Sequence, residues 1–124
     1  MMMTNCYIFG DETTKEVALI DTGGETNAII SRIQTFGFKP IAIILTHGHP
    51  DHHGGILDIS ETFNIPVMYN EKDHNLIKFQ NPKFIKEPDE INIGKQKLHV
   101  LDSPGHTNGG LLLVSFDAKP NIKP

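Results

Sequence analysis

A β-branched apolar run, Ile41-Ala42-Ile43-Ile44-Leu45, leads straight into Thr46-His47-Gly48-His49-Pro50-Asp51-His52. The first segment is bounded by Pro40 and reads as a buried strand. The second places three imidazoles and a carboxylate at its tip. Residues two apart in an extended segment point the same way, so His47 and His49 aim at one point beyond the strand. Gly48 and Pro50 suit the tight backbone between them. Asp51 and His52 follow at the start of an expected helix, where the helix dipole favours a carboxylate. Neutral imidazole is the commonest metal ligand, and three or four such donors are what zinc takes. A distant imidazole, His106, sits in a second glycine-flanked turn after another expected strand. A metal closed by residues from separated loops also ties two parts of a fold together.

The totals narrow the class. The chain has 124 residues, enough for one domain, and 38% of them are hydrophobic, which supports a packed core. A formal net charge of -4, with no basic run, argues against a nucleic-acid surface. Seven histidines exceed what packing needs, and four lie between 47 and 53. Cys6 is the single cysteine, so no internal disulfide forms, which fits a reducing, cytoplasmic setting. The first five residues carry neither a basic nor an apolar signal region. No apolar stretch approaches membrane-spanning length.

Periodicity places the elements. Residues 6–9 and 17–20 read as a hairpin around a polar turn. A helix is expected over 25–36, with Ile29, Ile33 and Phe36 on one face and Gly37 as its stop. Strand 41–45 and the histidine loop follow. A second helix is expected over 53–63, with Ile56, Ile59 and Phe63 as its stripe. A strand over 66–69, a helix over 71–79 and a loop over 81–89 come next. Residues 91–93 and 97–101 flank Gly94 as another hairpin, and 111–116 is the last strand before a polar tail. Strands alternate with helices, so the class is α/β with a mixed sheet and flanking helices. The final apolar strand has no following helix to cover it, which predicts a bare sheet and self-association.

His47-x-His49-x-Asp51-His52, with Ser103-Pro104-Gly105-His106-Thr107, resembles the metallo-β-lactamase fold superfamily. Asn5-Cys6-Tyr7-Ile8 and Ile20-Asp21-Thr22-Gly23-Gly24 are similar to the opening strands of its glyoxalase II-like (hydroxyacylglutathione hydrolase-like) branch. The resemblance runs over nearly the whole chain. It implies that His47, His49 and His106 hold a first metal, usually zinc, with iron or manganese as alternatives. It implies that Asp51 and His52 serve a second metal site, Asp51 being the catalytic carboxylate, and that Asp21 orients ligands from behind. The implied chemistry is hydrolysis of a small-molecule thioester, such as a hydroxyacyl-glutathione, by a metal-activated water.

The chain departs from that pattern. Family members carry, beyond the third histidine, an aspartate that bridges the metals and a later histidine for the second metal. Asp117 is the only carboxylate after His106, and its setting reads as a hairpin turn. The chain is therefore expected to be the first half of an αβ/βα sandwich, a single incomplete domain over 1–124. Two further readings follow. One is a mononuclear iron thiol or persulfide dioxygenase on the same fold. The other is a catalytically incompetent metal-binding fragment.

The remaining histidines have plainer readings. His53 reads as a helix-start residue, His74 as part of a polar helix face, and His99 as a strand-face residue. Cys6 reads as a small core residue. No glycine-rich phosphate loop exists, so nucleotide binding has no support.

Overall fold

The computed structural model describes residues 7–22, 26–48, 53–105 and 107–115, with backbone only at 53 and 54. The expected first hairpin is β1 (Tyr7–Gly10) and β2 (Glu16–Ile20), antiparallel, with Tyr7 opposite Ile20 and Gly10 opposite Val17. Helix α1 (Thr26–Phe36) stops where expected. Gly37 takes a φ of 70°, the Phe38 N–H donates to Ile33 O at 3.1 Å, and the Gly37 N–H donates to Gln34 O at 3.3 Å. These are the paired bonds of a Schellman end. Ile29 and Ile33 are buried as the stripe predicts, but Phe36 is 55% exposed. It lies in the last turn, where its ring stacks on Phe38 with centroids 5.7 Å apart rather than entering the core.

Strand β3 (Lys39–Ile44) begins before Pro40 rather than after it. Val17 pairs with Pro40 and Ala18 with Ala42, so Ile41 is the extra residue of a bulge. Proline has no N–H for the ladder, and a bulge is one of the few places where a sheet accepts it. Helix α2 (His53–Phe63) and strand β4 (Val67–Tyr69) fall as expected. The helix expected over 71–79 is broken. A 3-10 turn (Glu71–Asp73) capped by the Asn70 side chain leads into one turn of α3 (His74–Ile77), which Lys78 ends in the left-handed region. Inside the expected loop lies β5 (Lys83–Phe84), paired with β4 through Met68 and Tyr69. Strands β6 (Glu90–Ile93), β7 (Gln96–Asp102) and β8 (Leu111–Ser115) complete the described chain.

The strands form two sheets. One has the order β1-β2-β3-β4-β5, with β2 to β5 parallel; the other is the antiparallel β6-β7-β8. Alternation along β2 and β3 sorts the core into two layers. Val17, Leu19, Ile43 and Leu45 pack under the helices with Ile29, Ile33, Ile56 and Ile59. Ala18, Ala42 and Ile44 face the second sheet and meet Ile91, Ile93, Leu98, Val100 and Leu111. The central strands are thus apolar on both faces, as strands covered on both sides must be. On the outer face of β8, Leu112 is 52% exposed and Val114 is half-buried.

Two hairpin turns lock the sheets together at the start of β2. Asp11 accepts hydrogen bonds from the backbone N–H groups of Thr13 and Lys95, and the Gly94 N–H donates to Glu16 Oε1 at 3.0 Å. Chiefly because of the Lys95 N–H, the Asp11 carboxyl is held below its usual range, against the opposing effect of burial. A carboxylate with a lowered pKa in the fold stabilises it fully above its unfolded pKa and loses that contribution as pH falls through the folded value. Asp11→Ala should therefore lower the urea midpoint at neutral pH. The gap to the unaltered chain should close as the pH drops below the usual carboxylate range, as read by fluorescence or circular dichroism titrations at several pH values.

Candidate metal centre

Parallel pairing of β2 and β3 brings their C-terminal ends side by side, Ile20 opposite Ile44. Asp21 leaves β2 in the left-handed region, with a φ of 56°, which Asp tolerates better than most residues. Its N–H donates to Ile44 O at 2.8 Å. Its carboxylate then reaches past the end of β3. Oδ1 accepts the Thr46 N–H and Oδ2 accepts the Thr46 hydroxyl, both at 2.7 Å. Short bonds of this kind to an ionised acceptor are among the stronger ones in a fold.

The next link fixes a tautomer. Thr46 Oγ1 lies 3.1 Å from His47 Nδ1. The hydroxyl has one proton and has committed it to Asp21, which as a carboxylate can only accept. The contact therefore runs from the ring, with the His47 Nδ1–H donating to the hydroxyl oxygen. In a neutral ring that leaves the lone pair on Nε2, the form in which histidine binds a metal. Asp21 thus acts on His47 through Thr46.

A second carboxylate braces the same loop from the other side. Asp73 is 1% exposed. Its Oδ2 accepts the Gly48 N–H at 2.9 Å and the Thr107 hydroxyl at 2.8 Å, and its Oδ1 accepts the Gly109 N–H at 2.8 Å. The turn around His106 is tied to β3 as well, since the Leu111 N–H donates to Thr46 O at 2.8 Å. Within that turn the Ser103 N–H donates to Gly110 O at 2.8 Å and the Gly105 N–H to Thr107 O at 3.1 Å.

Of the residues expected to bind or orient metal, the structure places Asp21 and His47 together at the tips of β2 and β3. His49, Asp51, His52 and His106 lie outside the described residues, as do Cys6 and Asp117. Among the described residues no three His, Cys, Asp or Glu side chains gather at metal spacing. The described portion fits a metal in its donor chemistry: a half-buried imidazole, its Nδ1 proton held by a carboxylate-backed hydroxyl, at the end of a rigid strand.

Of two other histidine expectations, one fails and one holds. His74 is not on a polar face. Its Nδ1 lies 2.7 Å from the Tyr69 hydroxyl, and its ring stacks on Tyr69 and meets Phe84 edge-on. The Phe79 N–H also donates to that hydroxyl, while burial pushes the Tyr69 pKa up, so the phenol stays protonated. His99 is on a strand face as expected, 3.4 Å from Glu90 Oε2. Asp73 was invisible in the pattern, because Glu71-Lys72-Asp73-His74 looks like a solvated helix start. Its one signal is a spacing of four from the apolar Ile77, which puts a carboxylate on the inward face.

Comparison with known proteins gives a consistent picture. The family described as the metallo-beta-lactamase superfamily matches residues 2–119. An uncharacterised protein of Aquifex aeolicus is 33% identical over 121 residues, covering 85% of this chain and 56% of its own length. The hydroxyacylglutathione hydrolase GloC of Haemophilus influenzae is 29% identical over 133 residues, covering 93% of this chain and 62% of its own. Among solved structures, the BLEG-1 B3 metallo-beta-lactamase superposes with a TM-score of 0.78 at 26% identity, over 90% of this chain and 61% of that one. The chain therefore spans roughly three fifths of the length of these relatives. With nearly all of its residues matched, its two-sheet core shared with a solved member and its histidine-bearing turn at the end of β3, the chain belongs to the metallo-beta-lactamase superfamily.

Proposed function

We propose that this chain carries the first-metal part of the active centre of a metal-dependent hydrolase, with zinc as its metal and a thioester such as a hydroxyacyl-glutathione as its substrate. The observation that carries the reading is the Asp21–Thr46–His47 relay, which holds one imidazole in its metal-binding tautomer at the tip of a buried strand. His47, His49 and His106 would hold the first metal, and Asp51 and His52 would belong to the second. When bound, the metal supplies an acidified water as nucleophile and polarises the carbonyl oxygen.

The rest is the work of this chain's own groups. Asp21 keeps the Thr46 hydroxyl proton on its Oδ2, and Thr46 keeps the ring proton on His47 Nδ1. Ring orientation and basicity are set together by this arrangement. The Leu111 N–H on Thr46 O binds the turn after His106 to the same strand tip. The thioester is supported by the similarity to the Haemophilus influenzae hydroxyacylglutathione hydrolase.

The purified chain should bind zinc, and a chelator should abolish its hydrolysis of a hydroxyacyl-glutathione thioester. His47→Ala should remove zinc binding and turnover together, by metal analysis and a thiol-release assay. Turnover that survives both chelator and His47→Ala would sink the proposal. Zinc bound without turnover would remove the hydrolase reading for these 124 residues and leave metal binding.

Thr46→Val keeps the shape of the side chain and removes the relay's hydroxyl. It should cost about 10- to 100-fold in zinc affinity or in activity, the usual effect of losing an outer partner of a ligating histidine. An unchanged affinity, measured by competition with a chromophoric chelator, would show that the relay does not orient a ligand.

A further inference from the structure

We infer that Asp73 is a positioning residue that holds the two ligand-bearing turns at one fixed spacing before any metal arrives. The inference rests on the metal-site reading above and extends it to a residue that reading does not use.

Asp73 lies on neither turn. It ends the 3-10 turn after β4 and stands at the N-cap position of α3, where an aspartate ordinarily accepts from the first free N–H groups of its helix. Here it makes no such bond. Its side chain accepts instead from the two turns. Gly48, which separates His47 from His49, and Thr107, which follows His106, both donate to Oδ2, while Gly109 donates to Oδ1. One oxygen atom thus receives a donor from each turn.

Shape agrees with hydrogen bonding. A Cβ added at Gly48 would stand 2.9 Å from Leu76 Cβ, and one at Gly109 would stand 2.8 Å from Asp73 Cγ. Both approaches are closer than real Cβ atoms make, so each turn presses its glycine against the same 73–76 segment. A buried carboxylate is costly unless satisfied, and all three of its donors come from the turns that flank expected ligands. Turns fixed in this way lose little further freedom when a metal binds, which is how preorganisation raises affinity.

The test uses the full chain, zinc competition against a chromophoric chelator, the absorption spectrum of the cobalt(II)-loaded protein, and thermal unfolding without metal. Asp73→Asn keeps the shape but turns an NH2 group toward donors. Thr107→Val removes a single bond and is the milder change. Zinc affinity should fall about 10- to 100-fold in Asp73→Asn and less in Thr107→Val, with a shifted cobalt spectrum in both. The double variant should lose less than the product of the two, because both act on the same Oδ2. A role confined to folding predicts a lowered melting temperature with zinc affinity and cobalt spectrum unchanged in folded Thr107→Val. That result overturns the inference and leaves the metal site standing. If the unaltered chain binds no zinc, or binds it equally after His47→Ala, the metal-site reading fails and this inference falls with it.

Discussion

The candidate centre depends on β3 being buried on both faces. Ile43 and Leu45 pack under the helices, while Ala42 and Ile44 face the second sheet. A strand apolar on both sides could in principle slip by one residue without exposing a polar face. Side-chain size removes that freedom. Ala18 and Ala42 occupy neighbouring places against the second sheet, and a slip would bring Leu19 or Ile43 into space sized for alanine. Overpacking of this kind is destabilising in a close-packed interior. The register of β3 is what sets where Thr46 and His47 emerge.

Where the ladder stops, backbone groups need new partners, since buried N–H and C=O groups are rarely left without one. At the tip of β3 the partners come from three different elements. Asp21, just past β2, takes the Thr46 N–H; Leu111, at the start of β8, donates to Thr46 O; Asp73, past β4, takes the Gly48 N–H. The strand end is thus held by polar bonds, as the strand body is held by packing. The two carboxylates act by different means. Asp21 sets a proton through a hydroxyl, and Asp73 sets a backbone path.

Much of this was legible because the signals were local. The apolar run before Thr46, the stripe Ile56, Ile59 and Phe63, and the stop at Gly37 each need only a few neighbouring residues to be read. What escaped was set by tertiary contact. β5 has two residues and exists only because β4 offers Met68 and Tyr69 as partners. Pro40 looked like a boundary until the bulge at Ile41 gave it a place inside the strand. His74 carries no sign in the sequence that Tyr69 and Phe84 will enclose it. Asp73 matters through Gly48, Thr107 and Gly109, which lie 25 to 36 residues away. Asp21 was recognisable, but its route to His47 through Thr46 was not.

The two sheets are pinned at both ends of the same central strands. Asp11 and Glu16 bind the turn at Gly94 and Lys95 at one end, and Thr46 binds Leu111 at the other. The distance between the pins is spanned in one sheet by β2 and β3 and in the other by the β7–β8 pair. An extra residue inside β7 would displace one pin or buckle the strand. An insertion within β7 is therefore expected to cost more stability than one outside that span. Chain length in the second sheet is dictated by the first.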